Sequence, residues 1–153
     1  MKRSLVLLLA SFCLLLAVSG CKEISKLMPA STIDNPADGT PEWLVYKAIQ
    51  SAQQADVEAG WKMIRPYMHS SVIELRTSEE SFLNLNYPAF RRKVNFFTPE
   101  DGKPVYKLDY TEDVVDGKEL KLFVVNEGSD MPAPFRIARD GAANNEWRIK
   151  NIP

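Results

Sequence analysis

Apolar positions recur with helical spacing in the first part of the chain after residue 40. Thr40, Pro41 and Glu42 are residue types that cap and begin a helix, which we predict to run to about Ala55. A second helix is predicted after Asp56, because an apolar stripe with helical spacing follows it. The members of that stripe are Val57, Trp61, Ile64 and Met68.

The segment between residues 66 and 98 has a less regular pattern. Pro66 predicts a kink or an early end of the second helix. We predict a short third helix over Ser70–Arg76 and another helix that begins at Ser78 and breaks at Asn86-Tyr87-Pro88. For residues 88–98 the pattern leaves helix and first strand open, because the apolar spacing is helical but Val94–Thr98 also suits an extended chain.

Strand-like alternation begins at Pro104 and predicts a strand over Pro104–Val115. One predicted face carries Tyr106, Leu108 and Tyr110, and the other carries Lys107, Asp109 and Thr111. Asp116-Gly117 predicts a two-residue hairpin turn.

The return strand that follows has apolar residues on both faces, so we expect it to be central in the sheet. A last hairpin is predicted from Phe135–Arg139 and Glu146–Ile149, joined by a six-residue loop. Helices followed by an antiparallel meander indicate an α+β fold.

The first 20 residues have the organisation of an export signal. Met1-Lys2-Arg3 is a short positive region, and Leu5–Val18 is an apolar run interrupted only by Ser11 and Cys13. That run is shorter than the ~20 residues a helix needs to span a bilayer. We therefore predict that residues 1–20 are a cleaved signal peptide.

Val18-Ser19-Gly20-Cys21 resembles the bacterial lipobox, in which an aliphatic and two small residues precede a cysteine. The resemblance implies cleavage between Gly20 and Cys21, and acylation of Cys21 with diacylglycerol and a fatty acid such as palmitate. The protein would then be a lipoprotein held in the membrane of the cell envelope and facing the periplasm. Lys22, where an aspartate would favour the inner membrane, favours the outer membrane. The alternative is an ordinary secretory signal with a chance cysteine.

Residues 21–40 are predicted to be the lipidated N-terminus and a flexible tether, because Pro29, Asn35-Pro36 and Gly39 interrupt any apolar period. A coil of ~19 residues would separate the domain from the membrane by ~25 Å. We expect residues 41–153 to form a single domain, a length sufficient for one hydrophobic core.

Composition argues against several classes of function. The formal net charge is −1, and loss of Lys2 and Arg3 makes the mature chain more acidic, so a nucleic-acid-binding surface is not expected. The two cysteines, Cys13 and Cys21, leave none in the predicted domain, which argues against a disulfide or a cysteine zinc site. His69 is the single histidine. We therefore assign no metal ligand and no cofactor.

Ala55–Ile64 resembles the second-helix signature of the nuclear-transport-factor-two-like superfamily, in which an aspartate caps a short helix ending in aromatic and aliphatic residues. Phe135–Gly141 with Glu146–Ile149 resembles the terminal hairpin of that superfamily. The resemblance covers roughly residues 41–151 and implies the cystatin-like cone, a curved antiparallel sheet wrapped around the first helix. Relatives bind small apolar ligands or carry out acid–base chemistry in the cavity between them. The helical material at 70–97 and the six-residue final loop depart from the family pattern.

Five aromatic residues are candidates for the lining of such a cavity: Trp43, Trp61, Tyr106, Phe123 and Trp147. The same residues suit a hydrophobic core, because aromatic side chains supply much of the buried area of a small domain. We favour the core, although a pocket in a cone is itself an unfilled part of the core.

Two polar features have both a functional and a structural interpretation. His69 suits a general base near neutral pH, but we favour a histidine at a helix end that interacts with exposed carbonyl groups. Arg91-Arg92-Lys93 suits an anionic partner such as phospholipid or peptidoglycan, but adjacent charges are more often a solvated surface. We assign no catalytic residue.

The sequence therefore favours a non-enzymatic binding or envelope-assembly module. Its predicted partners are the lipid bilayer, through acylated Cys21, and an envelope protein or a small apolar ligand. The alternative is a small-molecule carrier or an acid–base enzyme that uses the concave face of the sheet, and a purely structural envelope protein is a third interpretation.

Overall fold

The computed structural model describes residues 29–99 and 102–153. Its helices are α1 (Pro41–Ala52), α2 (Val57–Ile64), α3 (Ser70–Ile73), α4 (Arg76–Ser81) and α5 (Tyr87–Lys93). Phe82–Asn86 is a π-helical turn, and 3₁₀ turns occupy Arg65–Tyr67, Val94–Phe96 and Gly141–Ala143. The strands are β1 (Ser31–Ile33), β2 (Tyr106–Val115), β3 (Glu119–Val124), β4 (Ala133–Asp140) and β5 (Glu146–Asn151).

The predicted caps begin the first two helices. Thr40 Oγ1 accepts a hydrogen bond from the Trp43 backbone N–H at 3.2 Å. Asp56 Oδ1 accepts from the N–H groups of Glu58 and Ala59 at 2.6 and 3.1 Å. α2 gives way to a 3₁₀ turn at Pro66, as expected for a residue that cannot donate in a helix interior.

α4, the π turn and α5 follow one another without an intervening loop, so the predicted break at Asn86-Tyr87-Pro88 is wrong. In the π turn the Tyr87 N–H donates to the Phe82 carbonyl oxygen, five residues earlier. This wider turn carries the helical chain through Pro88, which has no N–H to contribute. The open choice for residues 88–98 is decided in favour of helix, because α5 and the 3₁₀ turn Val94–Phe96 occupy most of that segment.

The five strands form one antiparallel sheet in sequence order, from β1 at one edge to β5. The predicted α+β class is confirmed. Helix α1 packs against β3, β4 and β5. Apolar side chains from α1 and from the inner face of the sheet meet there, each with 0% of its surface exposed: Val45, Ile49, Tyr106, Leu122, Val124, Phe135, Ile137 and Ile149.

β1 lies within the predicted tether. Ser31 stands opposite Leu108 and Ile33 opposite Tyr106 on β2, and Ile33 packs against the core. The tether prediction is therefore wrong for Ser31–Ile33. A single apolar side chain and pairing with β2 hold this short strand, and neither produces a repeating pattern in the sequence.

A β-bulge decides which side chains of β2 share a face. Leu108 pairs with Val124, but Tyr110 pairs with Phe123, so β2 has one more residue than β3 at Asp109. Tyr110 therefore lies on the opposite face from Leu108. The predicted alternation fails at this position because periodicity does not reveal a bulge.

The turn between β2 and β3 has three residues rather than the predicted two. Val115 pairs with Glu119, which leaves residues 116–118 in the turn, and Gly117 adopts a φ of 64°. A two-residue type I′ turn needs positive φ at both central residues. Gly117 instead supplies the single left-handed position of a longer turn.

Candidate functional site

The predicted cleavage and lipidation residues, Gly20 and Cys21, lie outside the described residues. Within the part of the chain that the structure describes, no helix is long and apolar enough to cross a membrane. In the same part, no group of three or more His, Cys, Asp or Glu residues is arranged to hold a metal ion.

Trp43 and Trp61 pack in different aromatic clusters. The Trp43 ring meets the Tyr67 ring edge to face, with centroids 4.9 Å apart. The Trp61 ring lies against Phe82 and Tyr87, with centroids 5.8 and 5.7 Å away. Both tryptophans therefore hold helical segments against one another.

The other three candidate pocket residues are on the sheet but do not share one face. Tyr106 is buried, and its hydroxyl donates to the Glu42 carbonyl oxygen at 2.9 Å. Phe123 lies between the buried residues of β3 on the opposite face and stacks on Tyr110, with ring centroids 4.2 Å apart. Trp147 is half-buried under the Arg139 guanidinium, 4.0 Å from its ring centroid. Trp61 and Tyr106 thus belong to the hydrophobic core, Trp43 and Trp147 pack against it, and Phe123 lies on the opposite face of the sheet.

A groove of about 390 Å³ lies between α2 and the π turn. Its lining residues are Val57, Glu58, Trp61, Leu83, Asn84 and Pro88. The apolar stripe predicted for α2 does not lie wholly in the core. Ile64 and Met68 are buried there, whereas Val57 is 47% exposed and lines the groove. The groove offers a partner an apolar surface with a carboxylate at its rim.

Asp140 is a buried carboxylate that joins the end of β4 to the start of α3. Its Oδ2 accepts from the Ser70 backbone N–H at 2.7 Å, and its Oδ1 accepts from the Ser70 hydroxyl at 2.9 Å and the Ala142 N–H at 3.0 Å. Burial raises the pKa of Asp140, but these hydrogen bonds outweigh it and hold the pKa below its ordinary value. Both carboxylate oxygens are therefore occupied in structural contacts.

His69 caps the beginning of α3. Its Nδ1 accepts a hydrogen bond from the Ser71 N–H at 3.1 Å and lies 2.9 Å from the Ser71 hydroxyl oxygen. The prediction that it contacts carbonyl groups at a helix end is therefore wrong, since the ring accepts from the N-terminal donors of a helix. Among the described residues no carboxylate is hydrogen-bonded to this ring, as a catalytic histidine would require for its orientation.

The face of the sheet opposite α1 carries an ion-pair cluster. Lys150 Nζ donates to Glu119 Oε2 at 2.7 Å, and Arg136 Nε donates to Glu119 Oε1 at 2.9 Å. Hydrogen bonds from Lys150 and then Arg136 hold the pKa of Glu119 below its ordinary value, although burial opposes them. The cluster links three neighbouring strands, β3, β4 and β5, on the face opposite α1.

In the basic run Arg91-Arg92-Lys93, the first residue contacts the rest of the domain and the other two face solvent. Arg91 donates to the Gln54 carbonyl oxygen at 2.7 Å, one of the carbonyl groups that follow the end of α1 and need a partner. Arg92 and Lys93 are exposed. Of the three basic residues, Arg92 and Lys93 are therefore the two whose side chains are exposed for contact with an anionic partner.

Comparisons of this chain with protein families, with curated proteins and with solved structures found no match.

Sequence reasoning missed the residues that join Trp61 in the groove and the contact of Asp140 with Ser70. Pro88 belongs to the predicted break and Leu83 to the helix predicted before it, and the continuous π turn brings both beside α2. Asp140 and Ser70 are 70 positions apart. The Asp140-Gly141 pair signals a turn, but it carries no sign of a distant partner.

Proposed function

We propose that this protein is an acylated envelope lipoprotein whose cone-like domain faces the periplasm and acts as a binding or assembly module. The membrane anchor is Cys21, and the outer membrane is the proposed location. The ordered succession of a positive region, a short apolar run and Val18-Ser19-Gly20-Cys21 supports the anchor. The arrangement of the domain interior supports a binding role over catalysis.

The observation that carries the binding role is the filled space between α1 and the sheet. Tyr106, Leu122, Phe135, Ile137 and Ile149 on the sheet side are completely buried. A substrate on this face would have to displace core side chains at a cost of several kcal/mol, because protein interiors are close-packed. The concave-face enzyme and carrier are therefore disfavoured relative to binding at the surface.

The hydrogen bonds of Asp140 and His69 also favour a structural role for these two side chains. Asp140 and His69 satisfy backbone donors at the start of α3 and in the turn after β4. A nucleophile needs a base that is free to take its proton and is itself oriented by a third group. These two side chains hold the fold together instead.

The groove between α2 and the π turn is the proposed contact surface for an envelope protein. Trp61 forms part of it, and Val57 and Leu83 flank it on the two helical segments. Apolar side chains around a tryptophan are typical of the energetically dominant part of a protein interface.

The anchor is tested by fractionating cells that express the wild-type chain or Cys21→Ser. We expect the wild-type protein in the membrane fraction with an acylated N-terminal Cys21 by mass spectrometry. We expect Cys21→Ser to lack the acyl groups, because serine does not supply the sulfur nucleophile. An unmodified Cys21 in the wild-type protein would contradict the anchor.

The contact surface is tested by crosslinking in intact envelopes, with Val57→Asp compared against Leu75→Asp. Both positions are exposed, 47% and 65% respectively, so neither change should unfold the domain, and Leu75 is not among the residues that line the groove. We expect Val57→Asp alone to lose a crosslinked partner. Equal crosslinking by both variants would remove the groove from the proposal.

A further inference from the structure

One side of the helical chain from the π turn to the 3₁₀ turn Val94–Phe96 faces solvent but carries large apolar side chains. Leu85 is 67% exposed and Phe96 is 48% exposed. Lys93 lies three positions before Phe96, and Arg92 lies four positions before it. Leu85 lies two helical turns before Arg92. Positions with this spacing share one side of a helix, so these four exposed side chains form one surface, here called the α5 surface.

The α5 surface is positively charged within an acidic protein. Arg92 and Lys93 are exposed, and neither forms an ion pair with another residue of the described chain. No Asp or Glu occurs between residues 81 and 99, whereas the whole chain has a formal net charge of −1. Unpaired cations on an otherwise acidic protein attract an anionic surface to this side of the domain.

A neighbouring loop fixes the position of Phe96. The Glu127 N–H donates to the Phe96 carbonyl oxygen at 2.9 Å, and a Cβ at Gly128 would lie 3.0 Å from the Phe96 ring. The ring is therefore supported by the loop while almost half of the residue faces solvent. Glu127 and Asp130 of this loop are exposed, so the positive charge of the surface is concentrated on α5.

The layout of the α5 surface favours a bilayer over a folded protein partner. Leu85 and Phe96 are separated by about 16 Å along the helix axis, given a rise of ~1.5 Å per residue. A folded partner would need two separate pockets for these side chains, whereas a fluid bilayer accepts them at any spacing. At the headgroup level of a bilayer, apolar and aromatic side chains reach the acyl chains while Arg and Lys contact lipid phosphates.

We propose that the α5 surface docks on an anionic phospholipid bilayer. Leu85 and Phe96 enter the headgroup region, and Arg92 and Lys93 contact lipid phosphates. This inference goes beyond the proposed function, because it assigns a second membrane contact to the folded domain. It does not require acylation of Cys21, although an acyl anchor would strengthen docking by raising the local concentration of lipid.

Docking is tested by chemical footprinting of the full-length chain reconstituted in vesicles. A water-soluble acetylating reagent labels exposed lysines, and peptide mapping by mass spectrometry gives the ratio of Lys93 to Lys62 labelling in the same molecules. Lys62 is the internal control, because its side chain is 73% exposed on α2 and is not part of the α5 surface. We expect this ratio to fall several-fold in vesicles of phosphatidylcholine and phosphatidylglycerol, compared with vesicles of phosphatidylcholine alone.

A double variant, Leu85→Ser with Arg92→Gln, should restore most of the Lys93 labelling in the anionic vesicles. The matched control is Leu75→Ser with Arg76→Gln, because Leu75 is 65% exposed and the Arg76 side chain is 90% exposed, and neither belongs to the α5 surface. The control should keep the wild-type ratio. An equal effect of the two double variants would overturn the proposal.

An equal ratio in the two kinds of vesicle would also overturn it, whether Lys93 is labelled freely in both or protected in both. Protection of Lys93 in detergent without lipid would assign the α5 surface to a second copy of the chain, with the same consequence. Mass spectrometry of the N-terminus reports acylation of Cys21 in the same sample, so failure of the anchor and failure of docking are distinguished.

Discussion

Gly60 of α2 lies against the C-terminal end of α1 and the side chain of Tyr87 from α5. These contacts leave no room for a side chain at this position. A Cβ at this position would be 2.4 Å from the Ser51 carbonyl oxygen and 2.5 Å from the Tyr87 hydroxyl oxygen. The same hydroxyl donates to the Ser51 carbonyl at 3.1 Å. The sequence predicts only that glycine weakens α2, whereas the contacts explain why a glycine is needed.

We expect Gly60→Ala to destabilise the protein by ~1–3 kcal/mol through overpacking, although alanine is the better helix former by ~1 kcal/mol. Urea unfolding of the purified chain measures the difference. Gly141→Ala is the matched control, because a Cβ there meets nothing within 4 Å. A neutral or stabilising Gly60→Ala would show that the helices separate without cost.

Glu119 gives the sheet a predictable response to acid. Its pKa is lower in the folded protein than the ordinary value of 4.5, so the folded state binds its proton less readily than the unfolded state. The stability that this difference contributes is complete above that ordinary value. It declines as the pH falls and is lost once the pH passes below the folded-state pKa.

In Glu119→Gln this dependence should disappear. Unfolding midpoints of the wild-type protein and of Glu119→Gln, measured from pH 6 down through the acid range, should differ most near neutral pH and converge in acid. Glu58→Gln is the control, since Glu58 forms an exposed ion pair with Lys62, and exposed pairs contribute little. A constant difference between wild type and Glu119→Gln at every pH would contradict the argument.

At the scale of elements, β1 shows that a segment with the composition of a linker can complete a sheet. Ile33 packs on the core, and the neighbouring Thr32 is exposed. The strand is held by pairing with Lys107 and its neighbours on β2. Removal of this segment should therefore affect the domain, contrary to the expectation from sequence.

We expect a chain that begins at Asp38 to be less stable than one that begins at Pro29, by ~1–2 kcal/mol for the loss of apolar burial alone. Thermal unfolding of both chains measures the difference. In the longer chain, Ile33→Ser should reproduce part of the loss, and Thr32→Ser should not. Equal melting temperatures of the two chains would show that β1 does not stabilise the domain and would support the tether prediction instead.

The elements that were predicted correctly have strong local signals. Thr40 and Asp56 are cap residues that act within three positions of themselves, and β3, predicted to be central because both of its faces carry apolar residues, is the middle strand of the sheet. The π turn, the bulge at Asp109 and the pairing of β1 were missed. Each depends on a residue that is distant in sequence or on a small change in helical winding, to which periodicity is insensitive.

At the scale of the whole molecule, the packing of the interior supports the proposed binding role over a ligand carrier. Leu122 and Phe135 are completely buried beneath α1, and the five aromatic residues considered for a pocket are dispersed over helices and both sheet faces. A binding role at the surface follows more naturally from this packing than transport of a ligand inside the domain.

We expect the wild-type protein not to take up an apolar dye such as N-phenylnaphthylamine in stoichiometric amount. Leu122→Ala should cost ~2–5 kcal/mol, because it leaves a cavity in a packed core, and should increase dye binding if the cavity persists. Fluorescence titration and urea unfolding measure the two effects. Saturable binding of one dye per wild-type chain would instead favour the carrier.

The sequence by itself determined the α+β class, the caps of α1 and α2 and the order of helices before strands, because these depend on local chemistry and on the period of apolar residues. It also carries the predicted signal and lipobox, which are linear features. Only the tertiary structure decided that β1 joins the sheet, that Gly60 is required and that Phe123 turns away from the core. These outcomes depend on contacts between residues far apart in the chain, which a linear pattern does not encode.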